Sequence, residues 1–158
     1  MSNVEIERKF LVTSDAWLEA VRESAYFRQG YLSNEINCSV RVRIAGDQAW
    51  LNLKSVTIGA QRHEFDYAIP VADAHRMLDV LTCKPVIEKT RYFVDIGPHT
   101  WEIDVFEGDN AGLVVAEIEL DSADEAFEKP DWAGEEVTYD PRYYNTSLST
   151  NPYRNWRA

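Results

Sequence analysis

The chain has little with which to build a covalent framework, a histidine-based metal centre or a membrane span. Two cysteines, Cys38 and Cys83, stand in no motif. That excludes a disulfide scaffold, and both are expected as reduced, partly buried thiols. The three histidines, His63, His75 and His99, are scattered and read as ordinary surface or packing residues. No apolar run approaches the roughly 20 residues of a membrane helix. Bases are scarce, with 16 Lys and Arg against 27 Asp and Glu for a net charge of −11. Such a balance argues against nucleic-acid or anionic-membrane partners. No Gly/Ser tract divides the sequence, and a chain of this length can bury a core without staples, so residues 1–158 are expected as a single domain. The pattern described next begins at residue 4, which leaves no room for a signal peptide ahead of it. With reduced cysteines, this points to the cytoplasm.

Charge in strict alternation is what the chain does have. In Val4-Glu5-Ile6-Glu7-Arg8-Lys9-Phe10-Leu11-Val12, a strand would put Glu5, Glu7 and Lys9 on one face and Val4, Ile6 and Phe10 on the other. Arg41 and Arg43 alternate with Val40, Val42 and Ile44; Lys54 stands opposite Leu51 and Leu53. Arg62, Glu64 and Asp66 alternate with His63, Phe65 and Tyr67, and Lys89 shares a face with Arg91. Glu102 and Asp104, then Glu117 and Glu119, repeat the opening pair of carboxylates. A half-exposed antiparallel sheet also alternates, but its wet face is usually a mixture of Thr, Ser, Gln and Lys. Full charges of both signs at nearly every such position favour the lumen of a barrel or tunnel that admits a charged ligand.

The carboxylate oxygens, without a cysteine or histidine cluster, favour Mg2+ or Mn2+ over zinc. Arg41, Arg43, Lys54, Arg62, Lys89 and Arg91 offer many cationic donors, and the planar guanidinium suits phosphate oxygens. One phosphate does not need six such groups; a linear triphosphate does.

These residues together resemble the CYTH superfamily, the triphosphate tunnel metalloenzymes. The likeness runs from the opening Val-Glu-Ile-Glu-Arg-Lys-Phe-Leu-Val through Arg28-Gln29-Gly30-Tyr31-Leu32, Leu53-Lys54-Ser55 and Arg62-His63-Glu64-Phe65. It continues through Glu88-Lys89-Thr90-Arg91-Tyr92, Trp101 to Gly108 and Ala116-Glu117-Ile118-Glu119, to the closing Arg142-Tyr143-Tyr144-Asn145. The resemblance implies an α+β fold, an eight-stranded closed antiparallel barrel with a charged lumen and helices packed outside. It implies metal-assisted hydrolysis of a triphosphate, with Glu5, Glu7, Asp104, Glu117 and Glu119 as metal ligands. Lys9, Arg41, Arg43, Lys54, Arg62, Lys89 and Arg91 would bind phosphate, and Lys9, Tyr31 and Lys89 would serve catalysis. The chain's short length looks like the small bacterial members that act on inorganic tripolyphosphate. Class IV adenylyl cyclase, thiamine or nucleoside triphosphatase, and a non-catalytic polyphosphate sensor are the alternatives.

Helices are expected from Ala16 to about Ser24, capped by Thr13-Ser14-Asp15; from Val71 to about Leu81; from Ser122 to Glu128; and from Pro141 to about Leu148 behind an Asp140 cap. Gly97-Pro98 reads as a turn between two strands. A charged lumen turns Ile6, Phe10, Val40, Val42, Leu51, Leu53, Ile103 and Ile118 outward, so helices or the second copy of a homodimer must cover them. The acids of Asp121–Glu125 and Glu135-Glu136 are expected as solvated surface charge.

Overall fold

The computed structural model describes residues 4–35, 37–56, 60–82 and 86–156. Eight antiparallel strands form the barrel: β1 (Val4–Val12), β2 (Val21–Glu35), β3 (Cys38–Ala45), β4 (Gln48–Ser55), β5 (Gln61–Ile69), β6 (Ile87–Ile96), β7 (His99–Phe106) and β8 (Val114–Glu119). The strands lie in the order β5-β4-β3-β2-β6-β7-β8-β1, and pairing of β1 with β5 closes the ring. On the edge of β1 away from β8, β5 pairs with Val4–Ile6, and the short β9 (Ala133–Glu136) pairs with Phe10 and Val12. The Gly97-Pro98 turn joins β6 to β7, with Gly97 at φ 59°. No helix among the described residues is long and apolar enough to cross a membrane.

Apolar residues point outward and are covered, though less by helices than the sequence suggests. Helix α1 (Val71–Val80) forms as its periodicity predicts and packs Ala74 and Leu78 on Val42, Ile44 and Ala49. Gly30 allows this approach, because a Cβ there would stand 2.6 Å from Thr82 Cγ2. Elsewhere the cover is irregular chain. The expected helix from Ala16 to Ser24 is one 3-10 turn, Ala16–Ala20, with no side-chain cap from Asp15. From Val21 onward the residues are taken by β2, whose first half pairs with β6. Here cross-strand pairing overrides local helix propensity.

The expected helix over Ser122–Glu128 is absent as well. That segment crosses the outer face instead, where Phe127 and Trp132 meet Trp101 at ring distances of 5.9 and 5.5 Å. Two acids expected as solvated charge hold this segment down. Glu125 is 2.6 Å from His99 Nε2, and Glu136 accepts two bonds from Arg8 at 2.6 and 2.8 Å.

One end of the barrel is closed. Register places Leu11, Tyr31, Ile87, Phe106 and Val115 on the face that carries the lumen charges. These apolar residues cluster with Tyr143, Leu148, Tyr153 and Trp156 of the C-terminal segment. Asp140 does cap the backbone N–H of Arg142 with Pro141 in the first turn, as expected. The helix that follows is broken, however: a 3-10 turn at Pro141–Tyr143, extended backbone at Tyr144, then α2 (Asn145–Leu148). The break lets both Tyr143 and Leu148 face the barrel end. Cys38 is an exposed free thiol rather than partly buried, while Cys83 lies outside the described residues.

Candidate active site

Each charged residue expected in the lumen sits on a barrel strand, and the register sets them side by side on neighbouring strands. Glu7 faces Glu119 and Lys9 faces Glu117 between β1 and β8; Glu117 also faces Glu102 on β7. Glu5 faces Arg62, Lys54 faces Glu64, and Arg91 faces Asp104. Directly opposed residues on one face of a sheet have neighbouring side chains, so alternation along seven of the eight strands becomes a charged wall. The cavity it encloses is about 170 Å³. It is lined by Glu5, Glu7, Arg41, Arg43, Lys54, Arg62, Glu64, Arg91, Glu102, Glu117, Glu119 and Asn145.

The wall divides into three groups. In the first, Arg91 binds Asp104 through Nε and Nη2 at 2.8 and 2.9 Å, Glu102 at 3.1 Å and Glu117 at 3.1 Å. Lys89 Nζ reaches Asp104 Oδ2 at 2.7 Å. In the second, Glu5 pairs with Arg62 at 3.1 Å and Lys54 at 3.5 Å, and Lys54 with Glu64 at 3.5 Å. Asn52 donates to Glu64 and Asp66. The third is a pair of arginines that form no ion pair among the described residues. Arg41 is 4 % exposed and its Nε has no hydrogen-bond partner among the described residues. Arg43 lies over the Phe27 ring and donates from Nε to Gln29 Oε1 at 2.8 Å.

These surroundings move the ionisation of the wall in opposite directions. Burial pushes Glu7 up to about 8, with help from the charges of Glu117 and Glu5. Burial and neighbouring carboxylates also raise Glu119, Glu102 and Glu64. Burial works the same way on Glu5 and Glu117, but Lys54 and Arg62 outweigh it for the first, and Lys9, Arg91 and Lys89 for the second, so both stay ionised. Among the bases, burial together with Arg41 and Arg91 lowers Arg43 to about 9. Burial lowers Lys89 to about 7, with Arg91 and Arg43 acting in the same direction and Asp104 against it.

Two residues expected to face a ligand stand behind the wall. Lys89 and Asp104 are 0 % and 1 % exposed, and both oxygens of Asp104 accept from Lys89 and Arg91. As the side chains stand, Asp104 neutralises bases. Lys9 and Tyr31 line a second cavity with Glu7, Arg62, Thr138, Tyr144 and Asn145, beside the closed end. Lys9 Nζ there donates to the Tyr143 carbonyl at 2.9 Å and lies 3.7 Å from Glu117.

Among the described residues, no three carboxylate, imidazole or thiol groups converge on one point as they stand. The donor set nevertheless fits a hard divalent cation. Glu5, Glu7, Glu117 and Glu119 offer only oxygen atoms on adjoining strands, and the raised Glu7 and Glu119 show negative charge that a cation would relieve. Gln29 and Asn52 were missed in the sequence because the alternation was followed through charged residues alone, while Asn145 stood only in the closing motif, with no role in the site. Gln29 shares the face of Tyr31, and Asn52 that of Lys54.

A third cavity lies at the mouth away from the closed end, where Phe27, Trp50 and Phe93 stand beside Arg41, Arg43 and Arg91.

Comparison with known proteins agrees with this architecture. The CYTH domain family model matches residues 3–148. An inorganic triphosphatase of Acetivibrio thermocellus is 47 % identical over 153 residues, covering 97 % of each chain. One of Nitrosomonas europaea is 40 % identical over 151 residues, covering 92 % of this chain and 96 % of its own. The crystal structure of an inorganic triphosphatase superposes with a TM-score of 0.68 at 35 % identity, over 92 % of this chain and 93 % of the other. With the family model matched over nearly its whole length and the closed eight-stranded barrel in place, this chain belongs to the CYTH domain family.

Proposed function

We propose that the chain hydrolyses inorganic triphosphate to pyrophosphate and phosphate, with Mg2+ or Mn2+, inside the barrel. The observation that carries this reading is the pair Arg41 and Arg43, the first buried and the second half-buried, with no carboxylate partner among the described residues, facing a wall of carboxylates with raised pKa. Buried charge without a counter-ion is costly. A linear polyanion supplies the counter-ion for the arginines, and a divalent cation does so for the carboxylates.

Arg41, Arg43, Lys54, Arg62 and Arg91 hold the phosphate chain and fix it for in-line attack, so that positioning and electrostatics do most of the work. Lys9 and Tyr31, beside Glu7 and Arg62, receive the terminal phosphate. Glu5, Glu7, Glu117 and Glu119 would hold the metal, which when bound neutralises phosphate oxygens and acidifies water. Asp104 acts through Arg91, whose guanidinium plane it orients, and Lys89 acts through Asp104. An exposed free Cys38 suits a reducing compartment, so we place the activity in the cytoplasm.

The aromatic mouth formed by Phe27, Trp50 and Phe93 favours a second reading, in which an organic triphosphate stacks its ring there. One assay separates the two: phosphate release from tripolyphosphate, ATP, thiamine triphosphate and pyrophosphate, each with Mg2+, Mn2+ or chelator, alongside detection of cyclic AMP. The favoured reading expects strong metal-dependent turnover of tripolyphosphate and little of the rest. It also expects Glu119→Gln to need more metal for half-maximal rate. Turnover that survives chelator, or preference for ATP or thiamine triphosphate, would replace it.

A further inference from the structure

Of the described residues that line the central cavity, Asn145 alone is not on a barrel strand, and it alone is uncharged. It belongs to α2, which the closed end fixes in place. Leu148 is buried in the end cluster, the Asn145 carbonyl accepts from the backbone N–H of Ser149, and the neighbouring Tyr143 carbonyl accepts from Lys9. Asn145 Oδ1 is buried and has no hydrogen-bond partner among the described residues. Buried side-chain polar atoms nearly always have a partner, and an amide can present donor or acceptor by rotating its plane. Asn145 also borders the second cavity; Glu7 and Arg62 are the other residues common to both linings. It therefore stands at the partition between the arginine-lined lumen and the pocket of Lys9 and Tyr31.

We infer that Asn145 is a substrate-contacting residue, whose side-chain amide hydrogen-bonds the terminal phosphate of the triphosphate where the lumen meets the Lys9 pocket. This rests on the triphosphatase reading above. The amide adds a donor at a place where another cation would tighten product and another carboxylate would repel substrate. The C-terminal segment thereby becomes part of the site rather than a stopper for the barrel.

The test compares wild type, Asn145→Ala and Asn145→Asp in two measurements: kcat and KM for tripolyphosphate with Mg2+, and the rise in melting temperature caused by tripolyphosphate in chelator. Loss of one hydrogen bond to a charged group predicts roughly a tenfold fall in kcat/KM for Asn145→Ala. Asn145→Asp keeps the shape and adds negative charge, so it should lose more, mainly through KM, and its ligand-induced rise in melting temperature should shrink most. Variants that keep both the wild-type kcat/KM and the wild-type rise would overturn the inference. So would equal losses in both variants that merely follow a lowered melting temperature of the free protein. If wild type itself neither turns over tripolyphosphate nor is stabilised by it, the functional reading falls and takes this inference with it.

Discussion

Arg91 holds Asp104 with two parallel bonds, Nε to Oδ1 at 2.8 Å and Nη2 to Oδ2 at 2.9 Å, while Lys89 bonds the same Oδ2 at 2.7 Å. One buried carboxylate thus balances two buried cations, one of them a lumen residue. Asp104→Asn removes the charge and keeps the volume. Breaking a buried pair from one side costs about 3–5 kcal/mol; because Lys89 already lies near 7 and can shed its proton, the lower end is expected. Urea unfolding at neutral pH measures this, and turnover should fall along with stability as Arg91 loses its anchor. A variant within 0.5 kcal/mol of wild type, on the order of a neutral surface change, would remove Asp104 from this role.

The pair on the outer face titrates separately. Glu136 accepts from Arg8 Nε and Nη2 at 2.8 and 2.6 Å and from Thr138 Oγ1 at 2.6 Å. The Arg8 bonds hold its carboxyl below the usual range, against partial burial. A folded pKa below the unfolded value of about 4.3 means that the contribution is complete above that pH. It disappears as pH falls through the folded value. The pair is part-exposed, so Glu136→Gln should cost only about 0.5–1 kcal/mol at pH 7. The gap to wild type should narrow as pH is lowered from 7 and close only as it falls through the folded value, where both chains become uncharged at this position. Urea midpoints along a descending pH series give the answer, and a gap that does not narrow would assign the loss to shape instead of charge.

The barrel was legible because its alternation is so regular: parity along each strand correctly separated Glu5 and Glu7 from Ile6, and Arg41 and Arg43 from Val42. What covers the barrel was not. Ala16–Ser24 and Ser122–Glu128 have adequate helix propensity, yet their fate depends on distant partners. Val21 is drawn into pairing with β6, and Phe127 into the aromatic cluster around Trp101. Propensity says nothing of such contacts. The same limit applies within the site. Asp104 and Glu102 share one face of β7 and look alike in sequence, but only the first is enclosed by Lys89 and Arg91. Glu125 and Glu136 gave no hint of their partners, which lie 26 and 128 residues away.

The closed end makes a prediction about the segment least tied to the sheet. Leu148, 1 % exposed, belongs to the cluster formed by Tyr31, Ile87, Phe106 and Val115 with Tyr143. Because α2 has only four residues, it cannot persist through its own hydrogen bonds and depends on this packing. Leu148→Ala should therefore cost about 2–5 kcal/mol in unfolding free energy. It should also act locally. With its anchor gone, α2 should open below the global unfolding free energy, and the amides of Ser149 and Asn151, bonded to Asn145 and Ser147, should exchange faster than those of β6 and β7. Hydrogen exchange on wild type and variant distinguishes the outcomes. Uniform acceleration across the chain would mean that the segment unfolds only with the barrel. Selective acceleration at residues 145–151 would establish it as a separately stabilised cover held by Leu148.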